Sequence, residues 1–430
     1  PTSWELGFPR CYGFWGVLGS PIIGGFGVPP RGVLGSPLWG RGGPGAGPAE
    51  YVVRHWRDDA FFGEQYLSGV NPVLLRRCPR LTGVPGRGSW CGGPTVAAQG
   101  GRVFVADYAL LEGLPTGRIG DEPQFTAAPL CLLWLSPAGR LLPLAIQVRP
   151  RGPTSPRPIS PCRYTFHINI LARDKLLNPG GIIDQVSRVW GTWGQRLVAR
   201  ATAALTYAEL CVPDDIERRG VADVPNYHYR DDALEIWGAI ESFVEGIVGL
   251  YYHEDSDVVD DPELQDWVGE IFTYAVLGNE KSGFPAKLCS RPELVKFLTM
   301  IIFRCSAQHA AVNSGQYDFY AWMPNSPGTM RCPPPRSKAG ATAESFLATL
   351  PSPAATGALL ALLSVVSYEA GERVSRGGSP PSPPRDSNCP QCPPRRRLAR
   401  ISRRVQRRNA ALPLPYPYLD PAAIENSIAI

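Results

Sequence analysis

Glycine and proline set the first limit on what this chain can fold into. Of residues 1–48, 22 are Gly or Pro, in phrases such as GSPIIGGFGVPPRG and GRGGPGAGP. Two further islands, 149–161 (RPRGPTSPRPISP) and 371–394 (GERVSRGGSPPSPPRDSNCPQCPP), have the same character. None of the three has apolar periodicity, and none can bury enough surface to offset the entropy of ordering it. The sequence therefore predicts a folded body over 49–430, interrupted by irregular stretches at 149–161 and 371–394, behind an irregular segment 1–48. That first segment has no basic stretch leading into an apolar one. It reads as a truncated start and not as a signal peptide.

Charge is equally uneven. The chain carries 43 Lys+Arg against 38 Asp+Glu, a net charge of +5. Residues 371–411 contribute 11 Arg and two acids, so this stretch is +9 and the rest of the chain is −4. The densest part, Arg395 to Arg408 (RRRLARISRRVQRR), has Leu398, Ile401 and Val405 at i, i+3 and i+7, the spacing of a helix that docks on one side. Its arginines suit either a solvated helix face or an anionic partner. A nucleic-acid partner is not expected, because no aromatic residue is interleaved for base stacking. The longest apolar run, Gly357 to Val366, is far short of the ~20 residues that span a bilayer. Most of the 11 cysteines stand singly in apolar segments such as PLCLLWL and IIFRCSA, which predicts a reducing, cytoplasmic setting. Cys389-Pro-Gln-Cys392 has no second pair to make a zinc site.

The ordered segments predict a mainly α fold with a small β region near its start. Between apolar runs, the SPAGR stretch at 136–140 reads as a hairpin turn. Residues 231–252 place Leu234, Trp237, Ile240, Val244, Ile247 and Tyr251 on one helical stripe. Asp261-Pro262-Glu263 supplies an N-cap, a first-turn proline and an early acid for a helix to about Leu277. A further helix is predicted from Pro292 to about Gly315, with a stripe of Leu294, Phe297, Leu298, Ile301, Ile302 and Cys305. Continued, that stripe reaches His309 and Asn313, four apart and so on one inward face. Such a pair suits either half of a metal site inside a helical bundle or a core histidine satisfied by a neighbour.

The stretch SAQHAAVNSGQYDFYAWMPNSPGTMR and the terminus YPYLDPAAIENSIAI, with PNYHYRDDALEIWGAIESFVEGIVGLYY, DPELQDWVGEIF and ARDKLLNPGGIIDQV, resemble the animal lipoxygenases. The resemblance covers Glu50–Gln147, Arg163 to about Val366 and Leu398–Ile430, roughly three quarters of the chain. DEPQFTAAPLCLLWLSP and VPNYHYRDD are most similar to the epidermis-type hydroperoxide isomerase branch. The resemblance implies the lipoxygenase catalytic domain and a non-haem iron. His309 would match the third histidine ligand, Asn313 the weak ligand and Ile430 the terminal carboxylate. It also implies polyunsaturated fatty acids or their hydroperoxides and O2 as reactants, by dioxygenation or by isomerisation to epoxyalcohols. A monomer with peripheral membrane contact is expected.

One part of that pattern is missing. The family carries two more iron ligands as His-x4-His ahead of the segment that here begins Arg163-Tyr164-Thr165. Between Gln147 and Arg163 this chain has only VRPRGPTSPRPISPC. Its five histidines are His55, His167, His228, His253 and His309, and no two have that spacing. The chain is therefore expected to hold iron weakly. The competing expectation is a catalytically inactive lipoxygenase-like protein that binds lipid or another protein.

Overall fold

A computed structural model of the chain describes residues 48–69, 71–78, 101–114, 118–119, 122–148, 191–333, 342–367 and 392–423. The island at 149–161 lies outside them, as do 1–47 and 371–391.

Two helices, α1 (Pro48–His55) and α2 (Asp59–Ser68), precede a four-stranded antiparallel sheet. Its strands β1 (Arg76–Arg77), β2 (Val103–Asp107), β3 (Pro129–Leu135) and β4 (Leu141–Val148) lie side by side in chain order. Leu133 pairs with Phe104 on one side and Pro143 on the other, and both Leu133 and Phe104 are fully buried. The expected hairpin joins β3 to β4: the Ser136 N–H donates to the Arg140 carbonyl at 2.8 Å, and Gly139 supplies the left-handed turn residue at φ +75°. The helix α2 lies so close to β4 that a Cβ on Gly63 would fall 1.8 Å from the Leu141 carbonyl oxygen. Only glycine fits there.

Behind the sheet, α3 (Gly191–Ala204), α4 (Tyr207–Leu210), α5 (Val212–Arg219) and the long α6 (His228–Tyr251) begin the helical body. Next come α7 (Asp255–Val259) and α8 (Pro262–Glu270), which runs into a π turn at Ile271–Ala275. The start of α8 is as expected, with the Asp261 carboxylate accepting from the Leu264 N–H at 3.0 Å.

The stripe expected on α6 holds at Trp237 and Val244, but the inward arc is rotated away from its other members. Leu234 is 37% and Tyr251 68% exposed, while Tyr229, Ala233, Ile236, Trp237, Val244 and Val248 are buried. The cause is a buried charge that an apolar pattern cannot register. Asp232 is fully buried, and α6 turns that flank toward arginines of α14 (Cys392–Asn409). Arg404 and Arg408 donate to one Asp232 oxygen at 2.9 and 2.8 Å, and Arg397 donates to the Gly238 carbonyl at 2.7 Å. Ile401 and Val405 are fully buried, as the docking spacing predicts. Helix α14 also begins three residues inside the island expected to be irregular, at Cys392-Pro393-Pro394. First-turn residues need no amide hydrogen to join a helix, so proline is admissible there.

The opposite flank of α6 packs on α9 (Arg291–Phe303), where Trp237 meets Phe303 with ring centroids 5.6 Å apart. Ser290 caps α9 by accepting from the Glu293 N–H. The helix then widens into a π turn at Arg304–Gln308 and resumes as α10 (His309–Asn313). Here too the predicted stripe needs correction. Ile302 is 39% exposed and Cys305 is exposed, while Met300, Phe303 and Arg304 are buried. A single 3.6-residue period does not run through a π turn. Helix α11 (Gln316–Tyr320) follows, then α12 (Ala343–Thr349) and α13 (Pro353–Ser367). Among the described residues no helix is long and apolar enough to cross a membrane.

Candidate functional site

Residues Ala307 to Asn313 are buried without interruption, at the point where the π turn gives way to α10. His309 and Asn313 are 8% and 7% exposed. They are brought together as the sequence predicts: the Asn313 Nδ2 donates to His309 Nε2. Burial lowers the His309 pKa from the ordinary imidazole value, so the ring is held neutral and its Nε2 lone pair accepts from Asn313. Gln316 donates through Nε2 to the Asn313 amide oxygen at 2.7 Å and fixes which end of the amide faces the imidazole.

Three neighbours escaped the sequence reading. The Tyr229 hydroxyl of α6 donates to Gln308 Oε1, tying the π turn to the long helix. Asp318 on α11 is 1% exposed and accepts from the Tyr418 hydroxyl at 2.8 Å. Burial pushes the Asp318 carboxyl up to about 6, outweighing the Tyr418 hydrogen bond, which lowers it. The Tyr418 ring lies flat against Gly315, 2.9 Å from where a Cβ would stand, so the glycine in NSGQ makes room for the C-terminal segment. SGQYDF and YPYL held the available signal, but nothing in helical spacing links residues a hundred positions apart.

The remaining candidate ligand, Ile430, lies outside the described residues, as does His167. The remaining histidines are placed elsewhere. His55 on α1 pairs with Asp58, His228 opens α6, and His253 follows that helix. Among the described residues no three or more His, Cys, Asp or Glu side chains converge on a metal position. With Asn313 already bonded to His309 and Gln316, the described residues do not complete an iron site: one imidazole and one engaged amide could hold the ion only weakly.

A family model described as lipoxygenase matches residues 157–410, more than half of the chain. The chain belongs to the lipoxygenase family. Among curated lipoxygenase relatives, hydroperoxide isomerase ALOXE3 of Homo sapiens is 42% identical over 453 residues, covering 89% of this chain and 63% of the relative. Polyunsaturated fatty acid lipoxygenase ALOX15B of Homo sapiens is 41% identical over 457 residues, covering 89% and 67%. This lipoxygenase chain thus spans less than two thirds of the length of the first of these. The expected epidermis-type branch is borne out by that similarity. A solved lipoxygenase structure in complex with arachidonate superposes with a TM-score of 0.73 at 26% identity, covering 90% of this chain and 68% of that one. The mainly helical lipoxygenase fold, with its small sheet near the start, is as the sequence predicts.

Proposed function

We propose that this chain is a lipoxygenase-type oxidoreductase acting on polyunsaturated fatty acids or their hydroperoxides, with O2 as co-substrate in the dioxygenase direction. The observation that carries the reading is the neutral, buried His309 with Asn313 one turn along the same face. The names of the relatives supply the substrate class, and ALOXE3 favours isomerisation of a hydroperoxide. The resident iron of the family belongs to the proposal only as a weakly held ion, because the described residues offer two of its donors. What these residues themselves do is local. They exclude water around an uncharged imidazole, and Gln316 fixes the amide beside it. A monomeric, cytoplasmic protein is part of the same proposal.

The test follows loss of conjugated-diene absorbance from a fatty-acid hydroperoxide, together with bound metal. With ferrous iron in excess, slow conversion is expected, and it should be absent in His309→Ala. After the excess is removed, both iron and conversion should be lost. Inserting a His-x4-His stretch between Gln147 and Arg163 should restore them. Conversion that is unchanged in His309→Ala would overturn the site. Near-stoichiometric iron surviving removal of the excess would overturn the weak loading.

A further inference from the structure

The seven described arginine side chains of α14 fall into two sets. Arg397, Arg404 and Arg408 are spent inside the fold, on the Gly238 carbonyl, Asp232, Glu235 and the Tyr416 carbonyl. Arg396, Arg400, Arg403 and Arg407 are exposed. Their spacing, i, i+4, i+7 and i+11, is that of one helical stripe about 17 Å long. None of the four pairs with a carboxylate among the described residues, and Arg407 donates to the Arg403 carbonyl one turn back. The buried face of Ile401 and Val405 anchors the helix, so the stripe is presented on a rigid support. Outside residues 371–411 the chain carries a net charge of −4. An anionic surface would repel that body and attract this face, which would orient the molecule as well as hold it.

We propose that the Arg396–Arg400–Arg403–Arg407 stripe is a docking surface for an anionic membrane. Three observations favour lipid headgroups over other polyanions. The exposed positions between the arginines are Ala399 and Gln406, so no aromatic ring is offered to a nucleic-acid base. The same residues give no aromatic or large apolar anchor of the kind that centres a protein interface. A straight row of four exposed guanidinium groups suits a diffuse sheet of phosphates, which charge alone can attract. The apolar face of α14 is already buried on α6, so nothing from this helix inserts between acyl chains. The attraction is electrostatic, and salt governs it.

The experiment is sedimentation of the full chain with phosphatidylcholine vesicles, with and without phosphatidylserine. Partitioning should need the anionic lipid and vanish in about 1 M salt, where the Debye length is about 3 Å. Each arginine near the surface contributes about fivefold, so Arg400→Gln with Arg403→Gln should weaken binding about 30-fold. Arg400→Lys with Arg403→Lys should keep most of it, since charge and not fork geometry is decisive. Both pairs are exposed, and melting curves matching the parent would show that the fold is intact. Equal binding to neutral vesicles, or binding unchanged by the glutamine pair, would overturn the proposal. So would binding to single-stranded RNA that is tighter than to the anionic vesicles and lost in the glutamine pair.

Discussion

Replacing Asp232 with alanine should cost about 3 kcal/mol of unfolding free energy, read as a lower midpoint in urea at unchanged slope. Asp232 is fully buried, and one of its oxygens accepts from both Arg404 and Arg408. Removing the carboxylate leaves Arg408 without a counter-charge and Arg404 with Glu235 alone, and breaking a buried pair from one side costs about 3–5 kcal/mol. The low end applies because both arginine side chains reach solvent, at 36% and 20% exposure. Desolvation raises the Asp232 pKa even beside two arginines, so the ionised carboxylate is costly to bury and useful only while both partners are present. Amide hydrogen exchange should locate the damage. Protection should fall first along α14 and the Tyr416 segment that Arg408 and Asn409 hold by hydrogen bonds to the Tyr416 carbonyl. Asp232→Asn, which keeps an acceptor, should cost less.

A second large effect should appear as a dependence on pH. Burial raises the Asp318 carboxyl to about 6 from its ordinary 3.8. A carboxyl whose folded-state pKa is raised binds its proton more tightly when folded. Its contribution is therefore complete below pH 3.8 and lost as pH rises through 6. The size is about 3 kcal/mol, from a shift of about two units at 1.36 kcal/mol each. His228 opposes it, because burial and then Arg408 lower its pKa to about 4, so stability is lost as pH falls from the ordinary 6.5 toward 4. The two trends blur one another in the parent chain. The comparison that isolates Asp318 is the difference in unfolding free energy between parent and Asp318→Asn at pH 4 and at pH 7. That difference should change by about 3 kcal/mol, with the parent losing ground at pH 7. A difference independent of pH would mean that Asp318 stays ionised in the fold.

What could be read from the residues, and what could not, divides along physical lines. Local signals held. The Asp261 cap, the turn at Ser136–Arg140 and the i, i+3, i+7 docking residues of α14 each depend on a few neighbouring positions, and each stands where expected. His309 and Asn313 were legible as a pair because four residues is one helical turn. Patterns that assume one apolar face per helix failed. On α6 the inward arc includes a carboxylate, and where α9 widens into the π turn it includes Arg304, so hydrophobicity pointed to Leu234 and Ile302 instead. The contacts around the site that span the chain were invisible for a different reason. Tyr418 with Asp318, and Tyr229 with Gln308, join segments 100 and 79 positions apart, and no local spacing encodes such a meeting.

The π turn at Arg304–Gln308 also bears on which lengths this helix can tolerate. Such a turn is an α-helix that has taken in one surplus residue and bulged, leaving the segments on either side aligned almost as if nothing had been added. Counting in turns of 3.6 residues from Leu294, an uninterrupted helix would bring 308 and 312 directly beneath it; the surplus residue turns the downstream segment so that His309 and Asn313 are buried beside them. Deleting one residue within 304–308 should therefore relax the bulge to a plain helix and leave the imidazole and the amide facing the interior. The same deletion within α9 has no bulge to absorb it and would swing the pair about 100° around the axis. The helix has one point along its length where a change of a single codon triplet is geometrically silent for the site, and that point immediately precedes His309.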